Sequence, residues 1–150
     1  SKDNKALIEY VQDFKKEFYS LSFDQVAFPR GCNGLKKYSN KNTIFTKGTP
    51  IQVRGALCYN NLLQSQNKSK QYPLIMEGEK IKFCYLTPNK YGMSVVSCQN
   101  DLPKDLGLDR FIDYKLQFEK AFLEPLNAII EKLGWTSEES TSTSLDAFFT

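Results

Sequence analysis

Histidine is absent from the sequence. Its absence removes the commonest general base and the usual Ser–His and Cys–His nucleophile pairs. Zinc has little to hold it. The four cysteines, Cys32, Cys58, Cys84 and Cys98, are far apart, and none forms a CxxC pair. Neither GxxxxGK[ST] nor GxGxxG occurs, so neither of these nucleotide-binding loops is present. No run approaches the roughly 18 apolar residues of a membrane span. The opening SKDNKALIEY lacks the apolar region of a signal peptide. A cytoplasmic setting with reduced cysteines and no membrane partner is the expectation. The first residue is Ser rather than Met, and the chain is expected to be a processed product or an excised piece.

A further absence is local. Residues 25–76 contain no Asp or Glu, yet they carry eight basic residues: Arg30, Lys36, Lys37, Lys41, Lys47, Arg54, Lys68 and Lys70. The whole chain has 20 Lys+Arg and 17 Asp+Glu. Subtraction leaves 12 basic against 17 acidic residues outside the window, a patch of +8 beside a remainder of −5. Such segregation points to a polyanionic partner, because Lys and Arg that neutralise phosphates release condensed counterions.

What is present suits a folded domain. The chain has 150 residues, 41% of them hydrophobic and 13% aromatic, which is enough for a core. Residues 5–19 place Leu7, Val11, Phe14 and Phe18 on one face of an amphipathic helix. Asp3 or Asn4 is positioned to cap it. A short strand is expected over 25–28, ending at Pro29. In the loop that follows, Gly31 and Gly34 let backbone N–H groups approach a ligand closely. Lys36 and Lys37 beside Tyr38 are the expected phosphate contact, with Asn33 and Lys41 in the same loop. A short strand over 43–45 and a turn at 48–50 lead to a helix over 54–63. This helix buries Ala56 or Leu57, Tyr59 or Asn60, and Leu63. Gly55 in its first turn admits a close backbone neighbour. Arg54 beside the positive end of the helix dipole calls for a compensating anion, either a phosphate or a protein oxygen.

Residues 72–76 and 80–86 read as two strands joined by a turn at Glu77–Gly78, and 93–97 as a third. Ile81, Phe83 and Tyr85 alternate with Lys80, Lys82 and Cys84, so one face is buried and the other partly basic. Glu77 and Glu79 read as solvated turn residues. From Asp109 a helical period runs through Phe111, Tyr114, Phe118, Phe122, Leu126, Ile129 or Ile130, and Leu133. Pro125 should kink this long helix and Gly134 should stop it. The large side chains, at about 1.5–3 kcal/mol each on burial, make it a mainstay of the core. The chain then passes through TSEESTSTS, which has too little apolar surface to fold. It ends in SLDAFFT, where Leu145, Phe148 and Phe149 present an aliphatic and two aromatic anchors on one helical turn. Such a tail either plugs a pocket on a partner or folds back on its own domain.

The segments PIQVRGALCYN, MEGEKIKFCYL, FIDYKLQFEKAFLEPL and SLDAFF occur in this order. The sequence so arranged resembles the thumb domain and C-terminal tail of the replicative family B DNA polymerases of T-even-type phages. The resemblance runs from about residue 5 to residue 150. It implies an α+β thumb: an N-terminal helix, a small antiparallel sheet and a long C-terminal helix over 1–135, with a flexible tail over 136–150. The family's thumb touches the sugar-phosphate backbone of the primer–template duplex. Arg54 and Gly55, Tyr59 and Asn60, and Lys80 stand at matching positions. Arg30, Asn33, Lys36, Lys37, Lys41 and Lys47 join them as candidate DNA contacts on charge and composition. Leu145, Phe148 and Phe149 match the family's sliding-clamp peptide; Ser142 stands where the wider clamp-binding pattern often has Gln.

The palm motifs that hold the family's metal-binding aspartates do not occur here. The resemblance therefore implies no catalytic residue and no cofactor in this chain, with Mg expected in the palm. It implies no polymerase activity by the chain alone. It also implies three partners: duplex DNA, a palm-bearing polymerase portion and the sliding clamp. The chain is then an excised fragment or one product of a split gene. The contrasting reading is a non-catalytic adaptor, whose basic loop meets an acidic protein and whose C-terminal peptide docks in a hydrophobic pocket.

Overall fold

The computed structural model of the chain describes residues 2–39 and 48–134. The elements run α1 (Lys2–Phe18), α2 (Phe23–Val26), β1 (Phe28–Gly31), α3 (Ile51–Ser65), β2 (Lys80–Tyr85), β3 (Val95–Cys98), α4 (Tyr114–Phe118) and α5 (Glu124–Lys132). A three-stranded antiparallel sheet has the order β1-β2-β3. The fold is α+β, with an N-terminal helix, a small antiparallel sheet and a C-terminal helix, as the sequence predicts. No helix among the described residues is long and apolar enough to cross a membrane. The predicted strand over 43–45 and the tail over 136–150 lie outside the described residues.

Contacts divide the chain into two compact units, one of Ser1–Leu21 with Tyr114–Thr150 and one of Ser22–Asp113. In the first, α1 lays Phe14 and Phe18 against Phe118 of α4, with ring centroids 5.9 and 5.3 Å apart. Phe122 approaches Phe14 to 4.7 Å. The Tyr114 hydroxyl donates to the Leu21 carbonyl, fixing the chain just past α1. The helical period from Asp109 forms a 3₁₀ turn over Asp109–Phe111 before α4 begins at Tyr114. Between α4 and α5 the backbone adopts a π-helical stretch, Glu119–Leu123. Pro125 lacks the N–H that would bond the carbonyl four residues back, and a π bulge there widens the helix where the α-helical bond cannot form. Gly134 has φ +75° and donates its N–H to Glu131 O at 3.0 Å, ending the helix as predicted.

The second unit packs α3 on the sheet. Gly55 permits it: a Cβ there would stand 2.8 Å from Ser97 N and 3.0 Å from the Val96 carbonyl carbon. Ser97 then donates its hydroxyl to Gln52 O at 2.8 Å. α3 begins at Ile51 rather than Arg54, because Val53 and Arg54 already donate to Pro50 O. Gly55 is thus three residues further into the helix than its sequence reading suggests.

Two strand predictions are corrected. Residues 23–26 are the helical turn α2, with the strand starting at Phe28. The missed signal is Ser22–Phe–Asp–Gln25, a capping-box spacing in which the Gln25 side chain accepts from Ser22 N–H at 3.0 Å. The strand does not stop at Pro29, because β1 is an edge strand and tolerates a missing donor. Residues 72–76 form no strand. Pro73 has no N–H, and Ile75 spends its donor and acceptor on the Asn60 side chain, at 2.8 and 3.0 Å.

Candidate functional site

β1 and β2 pair Arg30 with Ile81 and Gly31 with Lys80. This brings Arg30 and Lys80, fifty residues apart in the chain, to one end of the ladder. Arg30 lies across Phe83, its guanidinium carbon 5.5 Å from the ring centre, and donates to Pro29 O at 2.7 Å. Paired residues share a face and neighbours along a strand alternate, so Lys80 and Lys82 occupy the pleat opposite Arg30 and Phe83. Lys82 is engaged by α2: its ammonium donates to Asp24 Oδ1 at 2.8 Å and to Asp24 O at 3.0 Å. Lys80 is exposed.

Past β1 the chain turns repeatedly through residues 33–38. Asn33, Lys36 and Lys37 are exposed there, and the Lys37 ammonium sits 5.2 Å from the Tyr38 ring centre. This loop is joined to the turn before β2. Cys32 N–H donates to Glu79 O at 2.9 Å, and Gly78 N–H donates to Cys32 O at 2.7 Å. The Glu77 carboxylate accepts from Gly34 N–H at 2.9 Å and from Lys36 N–H at 3.3 Å. Those bonds, Gly34 first and Lys36 second, hold the Glu77 carboxyl below the usual carboxylate range. Cys32, buried beneath the loop, has its thiol pushed up to about 11, by burial first and then by Glu77 and Glu79.

Two expectations change. The Gly34 amide, read as open to a ligand, is bonded to Glu77, as is that of Lys36. The acid-free window is also not acid-free in space, because Glu77 and Glu79 fold directly against it. Among the described residues, four cations at this end of the sheet (Arg30, Lys36, Lys37, Lys80) set against these two carboxylates leave a local balance of +2. Lys68, counted in the sequence patch, pairs with Asp105 at 3.2 Å.

Of the other candidates, Arg54 is half-buried in the first turn of α3. Gln52 ties that turn to the end of β1 by donating to Gly31 O at 3.4 Å. Tyr59 is only 1% exposed and belongs to the core. Burial and the Cys98 thiol together raise its hydroxyl's pKa. Asn60 is committed to the Ile75 backbone. The structure therefore places Arg30, Asn33, Lys36, Lys37 and Lys80 at one end of the sheet, with Arg30 and Lys80 on opposite faces, and gives Tyr59 and Asn60 internal work. Lys41, Lys47, Leu145, Phe148 and Phe149 lie outside the described residues. Among the described residues no three Cys, Asp or Glu side chains converge as metal ligands. Glu77 escaped the sequence reading as a site residue because its partners are backbone amides more than forty positions away.

No family model matches the chain. Its sequence is similar to the DNA-directed DNA polymerase of Enterobacteria phage T4, at 29% identity over 146 residues and 94% of this chain. The chain spans 16% of that protein's length. What it resembles is thus one region of a phage DNA polymerase.

Proposed function

We propose that this chain is the thumb portion of a family B DNA polymerase of phage type, working in the host cytoplasm. It grips the primer–template duplex through backbone phosphates and tethers the polymerase to a sliding clamp. The observation that carries this reading is the similarity along nearly the whole chain to one part of the T4 polymerase. The geometry adds a means. Arg30, Lys36, Lys37 and Lys80 gather at one end of a small sheet, with Asn33 beside them and Arg54 at the adjoining helix start. Cations so placed meet phosphates without reading bases. Lys41 and Lys47 are further candidate phosphate contacts on charge alone. The chain supplies no catalytic residue; the metal-binding carboxylates and their Mg belong to a palm-bearing portion that it docks on. Leu145, Phe148 and Phe149 serve as the clamp peptide, and tethering makes a weak, sequence-blind grip persist.

The test is binding of the chain to a primer–template duplex across a salt series. Log K should fall with log salt by about 0.9 per phosphate contacted. Lys36/Lys37→Ala should lower that slope by roughly 1.8, the share of two contacts. An unchanged slope defeats the proposed patch. Absence of any affinity at low salt favours the adaptor reading instead. Removing residues 144–150 should abolish clamp binding and spare DNA binding; retained clamp binding defeats the tail assignment.

A further inference from the structure

Lys36 and Lys37 sit on a loop that closes on a single carboxylate. Gly34 has φ +103°, a conformation that L side chains rarely adopt. It directs its N–H, with that of Lys36, onto Glu77, whose two oxygens accept them separately at 2.9 and 3.3 Å. Successive amides converging on one anion form a nest, here filled from within the chain. The floor of the arrangement is the reciprocal pair between Cys32 and the turn, Cys32 N–H to Glu79 O and Gly78 N–H to Cys32 O. Glu77 itself is exposed. An acid at the surface of a basic patch opposes any polyanion, so its presence there calls for a compensating gain.

We propose that Glu77 is a positioning residue for nucleic-acid binding: its carboxylate fixes the Gly34–Lys36 backbone so that the Lys36 and Lys37 ammonium groups stand ready for phosphates. This rests on the proposed DNA grip. Two effects oppose each other. The negative charge of Glu77 repels the duplex, but in open solvent that repulsion is screened within a Debye length. The clasp removes backbone freedom that would otherwise be lost on binding, and preordered contacts bind more tightly for that reason. The second effect wins in this proposal.

Glu77→Ala in the full chain should weaken binding to a primer–template duplex about tenfold, the equivalent of ordering roughly one residue's backbone on binding. This is expected even though the variant is more positive by one charge. Amide hydrogen exchange at Gly34 and Lys36 should accelerate in parallel. Glu77→Gln keeps a carbonyl for Gly34 and should recover part of both. In a Lys36/Lys37→Ala background, Glu77→Ala should have no further effect on affinity. Equal or tighter binding by Glu77→Ala overturns the proposal and makes Glu77 a competitor for the phosphate site. A Glu77→Ala effect that persists without the two lysines overturns it too, since the residue then supports the fold alone. Wild type and Lys36/Lys37→Ala binding alike would defeat the Lys36 and Lys37 contacts and this proposal with them. A lysine effect without a Glu77 effect defeats this proposal only.

Discussion

In the unit of Ser1–Leu21 with Tyr114–Thr150, aromatic rings meet aromatic rings between helices. In the unit of Ser22–Asp113, the decisive contacts are made by backbone: a glycine against a strand, an Asn side chain on a peptide unit, a carboxylate on two amides. The first kind of contact is forgiving in direction and costly in volume. Phe118 meets Phe14 and Phe18 edge-on and Phe122 at a tilt, and any large apolar group of similar shape keeps most of that energy. The second kind is cheap in area and strict in position. Ser97 and Val96 leave no room for a methyl group on Gly55. A site that must hold charged groups at set places is better built from the second kind.

That contrast can be broken at several points. The largest effect is expected for Phe118→Ala, which removes a side chain 1% exposed. It should cost about 3–5 kcal/mol in urea unfolding, whereas Phe118→Leu should cost much less. If Leu proves as damaging as Ala, ring geometry matters more than volume and the contrast is overstated. Gly55→Ala comes next. Helix propensity alone would stabilise by about 1 kcal/mol. The new Cβ would face backbone atoms that cannot swing aside, so a net loss of about 3 kcal/mol is expected, at the upper end of overpacking costs. A stabilised Gly55→Ala would mean that α3 can lift off β3 at no cost. Asn60→Ala strands the Ile75 peptide unit and should cost about 2 kcal/mol. Faster amide exchange at Ile75 would show the loss to be local.

The smallest effect is a pH response. The folded Glu77 carboxyl titrates below its ordinary value of 4.5, chiefly because Gly34 and Lys36 donate to its ionised form. A depressed carboxyl stabilises the folded loop fully above that ordinary value, and the contribution is lost as pH falls through the folded pKa. The Gly34 amide resonance should therefore hold steady from neutrality to about pH 4.5 and shift only below it. A shift centred above the ordinary carboxylate range would show that the clasp is not made by the ionised group.

Legibility in the sequence followed the same division. The aromatic period of α1 and of residues 114–122 is readable because side-chain spacing alone reports it, whereas Leu133, expected on the same buried face, is 58% exposed. The β2 alternation is readable from Lys80 to Phe83 and fails beyond it, where Cys84 is fully buried and Tyr85 only half-buried; Gly55 is readable as a point of close approach. Residues 72–76 were misread as a strand because Tyr, Leu, Ile and Met carry the right character. What decides their state is Asn60, on a helix earlier in the chain. The π stretch before Pro125 was foreseen as a disturbance but not as a bulge, since a proline announces a missing bond and not how the helix absorbs it. The basic patch was legible as composition and misleading as electrostatics, because Glu77 and Glu79 fall just outside the acid-free window in sequence and inside it in space.

By itself, then, the sequence determined the α+β class, the apolar faces of the helices and the segregation of charge. These depend on residue type and short-range period, which a linear chain displays. Only the tertiary structure decided that Arg30 and Lys80 share one end of a ladder, that Tyr59 is internal, and that a carboxylate holds the loop of Lys36 and Lys37. Each of those depends on partners tens of residues apart, whose meeting is set by strand register and by where backbone donors point.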